Sequence, residues 1–112
     1  MASCTVRTKG EILIVTLPEH IDHIEAMAVE KELREYVARE PKALLCDMSG
    51  TKYVSSSGLR AFLAIGKMAK ASGIRYGFFG LTKFVDHIFL MSGFWSLFSM
   101  YDSEEAAVRA IP

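Results

Sequence analysis

The chain contains little cysteine, and this scarcity excludes a disulfide-based fold. Cys4 and Cys46 are the only two among its 112 residues. They are too few for a disulfide framework and do not form the Cys-x-x-Cys pair of redox and zinc sites. Cys46 lies in an apolar segment and is expected to be a small core residue. We therefore expect the protein to work in a reducing compartment.

The chain also lacks an excess of charge of either sign. Its 13 Lys and Arg residues balance 13 Asp and Glu residues, so the formal net charge at pH 7 is zero. Binding to nucleic acid or to an anionic membrane surface needs clustered basic residues. No run of lysine and arginine interleaved with aromatic residues occurs, and we expect no nucleic-acid partner.

No apolar run is long enough to cross a membrane. The longest uncharged and largely apolar stretch, Ile88 to Tyr101, is shorter than the roughly 18 residues of a spanning helix and contains Gly93. Residues 1–11 are polar and contain no apolar segment of the kind found in a signal peptide. These features predict a cytoplasmic protein with no direct membrane insertion.

The chain does contain an alternation of strand-like and helix-like segments. Strands are expected at Cys4–Thr8, Glu11–Leu17, Ala43–Asp47, Arg75–Phe79 and Trp95–Met100, and helices at Glu25–Ala38, Ser57–Ala71, Thr82–Met91 and about Asp102–Ala110. The first two strands should form a hairpin around Lys9-Gly10. The order β-β-α-β-α-β-α-β-α predicts an α/β fold with a mostly parallel or mixed sheet of about five strands and about four helices. The length predicts a single domain, residues 1–112.

Three consecutive serines stand where a loop becomes a helix. The run Ser55-Ser56-Ser57-Gly58-Leu59 follows the strand Ala43–Asp47 and opens the longest apolar helix. A serine is a favoured N-cap, because its side-chain oxygen accepts from an unpaired backbone N–H group. The same place also suits a phosphate, which the positive end of the helix attracts. Capping and phosphorylation are both open interpretations at this point.

Aromatic residues are concentrated in the second half of the chain. They are Phe78, Phe79, Phe84, Phe89, Phe94, Trp95 and Phe98. Because they fall on alternating strand and helix positions, most are expected in the core. One or two exposed members could contact a partner.

Four segments at the ends of the predicted helices and strands match the pattern of a known family. They are the serine run with Gly58-Leu59, Asp22 after Glu19-His20-Ile21, Ile88–Phe94 with its Gly-Phe ending, and Ser103–Ala107. In order and spacing they resemble the STAS domain, the family named for sulfate transporters and anti-sigma-factor antagonists. The resemblance covers nearly the whole chain and implies a STAS-like α/β fold.

The resemblance also implies a function. In antagonists of this type, the serine immediately before the motif glycine is phosphorylated, which here is Ser57, with Ser56 as a second candidate. Asp22 and the loop Ser55–Leu59 would bind the partner. The implied partners are an anti-sigma factor that is also a serine kinase, and a phosphatase that resets the switch. No catalytic residue, metal or cofactor is implied.

One residue departs from the family motif. Ser55 stands where the motif has aspartate, which removes a negative charge and an acceptor beside the phosphoacceptor loop. STAS domains also occur as constitutive binding subunits of ATPase-associated transporter complexes. This departure keeps that second function open as an alternative.

Two further site types, a serine hydrolase centre and a metal site, match the sequence less well than simpler explanations do. A serine hydrolase would need Gly-x-Ser-x-Gly, but Val54 occupies the first glycine position, and nothing in the sequence places His20, His23 or His87 beside Ser56 or Ser57. The cluster Glu19, His20, Asp22 and His23 could ligate a metal, but we interpret it as a solvated loop before a helix because no second ligand pair is evident.

Overall fold

A five-stranded mixed sheet organises the computed structural model, which describes residues 3–112. The strands are β1 Thr5–Lys9, β2 Ile12–Thr16, β3 His20–Ile21, β4 Ala43–Asp47, β5 Tyr53–Val54, β6 Arg75–Phe79 and β7 Ser99–Tyr101. The helices are α1 His23–Ala38, α2 Ser56–Ala71, α3 Lys83–Met91, α4 Phe94–Leu97 and α5 Glu104–Arg109. The predicted α/β class and the sheet of five strands are confirmed.

The strand order of the main sheet is β1-β2-β4-β6-β7. Only β1 and β2 pair antiparallel, as the predicted hairpin; the other neighbours in this sheet are parallel. The inner strands β2 and β4 are apolar over their first four residues because helices cover both faces. Ile14, Val15 and Leu45 are accordingly all fully buried.

The two faces of the sheet support cores of different size. Leu13, Val15 and Leu44 point into a large cluster with side chains of α1, α2, α3 and α4. Their neighbours in the chain, such as Ile14 and Leu45, point the opposite way into a small cluster covered by α5. This division follows from the two-residue alternation of side chains along a strand.

The segment after α3 differs from the prediction. A strand was expected at Trp95–Met100, but Phe94–Leu97 forms helix α4, and β7 begins at Ser99. The turn starts at Gly93, whose φ is 83°. It places Phe94 and Phe98 together, with ring centroids 5.1 Å apart. Aromatic packing against the core therefore overrides the strand preference of this segment, and residues 3–112 form five helices instead of the expected four.

A second sheet was not predicted from the sequence. Strands β3 and β5 pair in parallel over two residues each, which is too short for a periodic pattern.

Within residues 3–112, no helix has both the length and the apolar character that a bilayer crossing demands.

Candidate functional site

Two helices begin side by side at the end of the small sheet. In its register His20 pairs with Tyr53 and Ile21 with Val54. Each strand runs directly into the N-cap of a helix, Asp22 for α1 and Ser55 for α2. Since the strands are parallel, both helix starts lie at the same edge. The backbone N–H of Ser55 donates to the carbonyl of Ile21 at 2.8 Å and fixes this arrangement.

The loop before α2 is held from three directions. The buried side chain of Thr51 donates to the carbonyl oxygen of Pro18 at 2.9 Å, and Thr82 donates to the carbonyl oxygen of Thr51 at 2.9 Å. The backbone N–H of Lys52 donates to the carbonyl of Glu19 at 2.7 Å. The loop that leads to the serine run is therefore tied to its neighbours. The predicted loop Ser55–Leu59 is itself the N-cap and first turn of α2, because Ser55 caps the helix and Ser56 begins it.

Ser55 is the capping serine. Its Oγ accepts from the backbone N–H of Gly58 at 3.1 Å, as a motif aspartate at an N-cap would. The substitution therefore removes the negative charge but keeps an acceptor at this position. Asp22 does the same for α1, where its Oδ1 accepts from the backbone N–H of Glu25 at 2.7 Å. Capping accounts for Ser55 and leaves Ser56 and Ser57 available.

Ser57 is held by two basic side chains. Its Oγ lies 2.9 Å from Nδ1 of His23 and 3.2 Å from Nη2 of Arg60. A guanidinium can only donate, so Ser57 accepts from Arg60, and its own proton is free to be donated to an unprotonated Nδ1. Ser57 is half-buried, whereas Ser56 is exposed.

The contact with His23 was missed by the sequence analysis. His23 is the first residue of α1 and lies 34 positions before Ser57. The signal that could have found it is the repeated pattern of a single apolar residue followed at once by a capping residue, at Ile21-Asp22 and at Val54-Ser55. This pattern indicates two strands that end together.

The motif glycine is required by close packing. A Cβ atom at Gly58 would lie 2.8 Å from Cγ1 of Val54 and 2.9 Å from Cγ2 of Ile21. Such distances are too short for carbon atoms, so α2 can start directly over the small sheet only with glycine here. The predicted loop residue Leu59 is half-buried and packs against the large core cluster.

A shallow groove of about 200 Å³ surrounds Ser57. It is lined by His23, Ala26, Met27, Glu30, Ser57 and Arg60. Glu30 is paired with Arg34 at 2.7 Å, so its charge is already compensated. Met27, which lines the groove, is 70% exposed and places a large apolar side chain next to the polar centre. Ile24, on the same helix, is 78% exposed.

A second exposed apolar area lies on α3 and α4, and we call it the α3–α4 surface. Its members are Phe84, Leu90, Met91, Trp95 and Leu97, all at least 45% exposed. Trp95 donates from Nε1 to Oδ1 of Asp86 at 2.8 Å. Phe84 and Trp95 are the exposed members of the aromatic group, and the other five are largely in the core.

The surroundings of Ser57 lack the features that a serine hydrolase needs to activate its nucleophile. Ser57 does have a histidine neighbour, but Arg60 donates to the oxygen that would attack, which lowers its electron density. Among the described residues, His23 makes no hydrogen bond to a carboxylate that would orient it as in a triad. The Gly-x-Ser-x-Gly turn is also absent from the sequence.

The acidic and histidine side chains before α1 have separate partners. His20 lies 3.3 Å from Glu19, Asp22 caps α1, and His23 contacts Ser57. Across residues 3–112, no three groups of the ligand types converge on one point.

The cysteines are buried and offer no nucleophile. Burial raises the pKa of the Cys4 thiol to about 12. It also raises the pKa of Cys46 well above its ordinary value. Because the thiolate is the reactive form, both thiols are expected to be inert at neutral pH.

Comparison with known proteins identifies the family. The STAS domain model matches residues 3–107. The chain is a STAS domain protein. BtrV of Bordetella bronchiseptica, provisionally named an anti-sigma factor antagonist, is 30% identical over 99 residues, which are 88% of this chain and 85% of BtrV. The anti-sigma-F factor antagonist RsfB of Mycobacterium tuberculosis is 28% identical over 109 residues, or 94% of this chain and 88% of RsfB.

Solved structures show the same STAS fold. The crystal structure of an anti-sigma factor antagonist from Mycobacterium paratuberculosis superposes with a TM-score of 0.86 at 25% identity. The match covers 96% of this chain and 92% of that chain. Members of this STAS antagonist family are generally not enzymes.

Proposed function

We propose that this protein is an anti-sigma-factor antagonist that switches partners through phosphorylation of Ser57. Unphosphorylated, it binds an anti-sigma factor that is also a serine kinase, and thereby frees the sigma factor. Phosphorylated on Ser57, it lets go until a phosphatase resets it. The observation that carries the proposal is the Ser57 hydroxyl, which stands between His23 and Arg60 in the first turn of α2.

Ser57 is favoured over Ser56 by its surroundings. It directly precedes Gly58, as in the family motif, and its Oγ already faces two side chains that can carry positive charge. A phosphate on Ser57 would therefore gain charge-assisted hydrogen bonds. Ser56 is exposed and remains the second candidate acceptor.

The surface next to Ser57 supports partner binding. Met27 exposes apolar area in the groove that Ser57 lines, and Ile24 on the same helix is also exposed. Asp22 is the N-cap of α1, directly before His23. A phosphate adds about −1.5 to −2 charges at pH 7. Burying that charge against a surface shaped for a neutral hydroxyl is costly unless the partner supplies cations. Release on phosphorylation follows from this cost.

A pull-down from native cells, followed by a kinase assay, tests the proposal. The tagged protein should recover a kinase-like anti-sigma factor, and that factor with ATP should add one phosphate that mass spectrometry locates on Ser57. Ser57→Ala should bind normally but resist release by ATP, and Ser56→Ala is the matched control that should still be released. Recovery of a transporter ATPase instead, with no phosphate on Ser57, would favour the constitutive binding subunit.

A further inference from the structure

We propose that His23 and Arg60 together form the receptor site for the phosphate group on Ser57. This inference rests on the proposed function, because it describes how the modified form of the same residue is held. It assigns His23, on α1, and Arg60, on α2, a role as positioning residues that the family motif does not specify.

The contacts of the hydroxyl define where the phosphate would lie. Both basic groups approach the same atom, Ser57 Oγ, at 2.9 Å and 3.2 Å, and the phosphorus would be bonded to that atom. The phosphate oxygens then lie one bond farther out, toward the groove that His23 and Arg60 line. Arginine offers several planar donors that match phosphate oxygens, so a small rotation of an exposed side chain is enough.

Phosphorylation would reverse the direction of the His23 hydrogen bond. In the free hydroxyl form, Ser57 can donate its proton to Nδ1 of His23. A phosphate ester has no hydrogen on this oxygen, and its outer oxygens accept. Nδ1 can then keep a contact only by carrying a proton and donating it. The same imidazole can therefore serve both states, by changing from acceptor to donor.

The side chains that contact the Ser57 hydroxyl are basic, and the neighbouring carboxylates make other contacts. On α1, Glu30 is paired with Arg34 at 2.7 Å, and the Asp22 carboxylate at the N-cap accepts from the backbone N–H of Glu25. On α2, Arg60 is the charged side chain that contacts Ser57. The two groups that face the hydroxyl are thus basic, and the nearby acids have partners of their own.

The test uses the full chain with phosphoserine inserted at position 57 by codon reassignment, so that no kinase is needed. Phosphorus NMR follows the second ionisation of the phosphate, whose pKa is about 6 in an exposed phosphoserine. In the otherwise unchanged protein this pKa should be lower by about 0.5 pH unit, because nearby cations favour the dianion.

Matched variants separate the receptor site from a general effect of charge. His23→Gln and Arg60→Gln should each return the phosphate pKa toward that of exposed phosphoserine. His87→Gln on α3 and Arg75→Gln at the start of β6, both at exposed positions, should not. Arg60→Lys should keep part of the shift. Without the phosphate, all these variants should unfold at the temperature of the parent protein.

Nitrogen NMR of the imidazole gives a second readout. Nδ1 of His23 should change from an unprotonated to a protonated resonance when position 57 carries phosphoserine. A phosphate that titrates as if exposed, or that responds equally to the His87 and Arg75 controls, would overturn the receptor site. Because the phosphate is inserted without a kinase, that result would leave the proposed switch untouched. Failure of any kinase to modify Ser57 would, conversely, leave the NMR result standing.

Discussion

The surface around Ser57 and the α3–α4 surface are both exposed, but they use their polar atoms differently. Around Ser57, two basic side chains converge on one hydroxyl, and Met27 lines the same groove. On the α3–α4 surface, five large apolar side chains dominate, and the Trp95 indole N–H is satisfied internally by Asp86.

The surface around Ser57 should therefore respond to a change of charge, whereas the α3–α4 surface offers mainly apolar contact area. A change of charge on Ser57 alters an existing hydrogen-bond network. It should therefore change the affinity of a partner that contacts that network. The α3–α4 surface has no comparable hydroxyl held between basic groups among the contacts described, so phosphorylation should not alter it. This division can be broken experimentally, and the largest effect is expected in the core that supports the α3–α4 surface.

Phe89 and Phe84 lie on the same helix and should differ most in their effect on stability. Phe89 is fully buried and packs against Phe62, Phe78 and Phe94. Phe89→Ala should therefore lower the free energy of unfolding by about 3–5 kcal/mol. Phe84 is 57% exposed, and Phe84→Ala should change it by less than about 0.5 kcal/mol. Chemical denaturation measures both, and equal losses would show that α3 is not anchored as described.

Ser57→Asp tests sensitivity to charge at the other surface. An aspartate in the first turn of α2 suits the helix dipole, so thermal stability should remain nearly unchanged. Binding to the anti-sigma partner should weaken at least about tenfold, or ~1.4 kcal/mol. Calorimetry of the complex gives the affinity, with Ser56→Asp as the neighbouring control. If Ser57→Asp unfolds the domain, Ser57 is a structural residue and not a switch.

Ser55 should affect stability through its cap. Ser55→Ala removes the acceptor for the N–H of Gly58 and should cost about 1 kcal/mol of stability. Ser55→Asp restores the family's carboxylate, keeps the acceptor and should be at least as stable as the parent. Thermal unfolding of the three proteins checks this. A Ser55→Ala protein as stable as the parent would show that the cap contributes little.

The smallest expected effect is a change in partner binding, and Met27 and Met91 form a matched pair of positions to measure it. They are 70% and 74% exposed, one beside Ser57 and one on the α3–α4 surface. Met27→Ser should weaken binding of the anti-sigma partner roughly threefold, because it removes apolar contact area, whereas Met91→Ser should have no measurable effect. A larger loss at Met91 would mean that the α3–α4 surface takes part in the same interface.

The sequence was sufficient for two inner strands of the main sheet because they carry their own pattern. Ala43–Asp47 and Arg75–Phe79 were predicted with the observed bounds. The first is a nearly continuous apolar run, and the second is a strand-like segment bounded by Gly73 and Gly80. The strand expected at Trp95–Met100 failed because Phe94 and Phe98 pack into one aromatic cluster through a helical turn. Local preference could not reveal that tertiary contact.

The sequence predicted some residues of the candidate site but not their arrangement. The motif pointed to Ser57 and Asp22, but their geometry depends on a two-residue ladder that has no periodicity of its own. His23 belongs to a different helix, and a distance between helices is set by packing, here by the missing side chain of Gly58. A residue type at one position cannot indicate such a distance.

A single helix of six residues, α5, covers the small core on one face of the sheet. Its buried side chain Ala107 contributes little area, so this helix should detach more readily than α1 or α2. Amide hydrogens of α5 should therefore exchange with solvent sooner than those of the helices on the other face. Each opening would briefly expose the apolar side chains of Ile14, Leu45 and Phe79. When the protein is concentrated or warmed, aggregation should therefore begin with molecules in which this face is exposed.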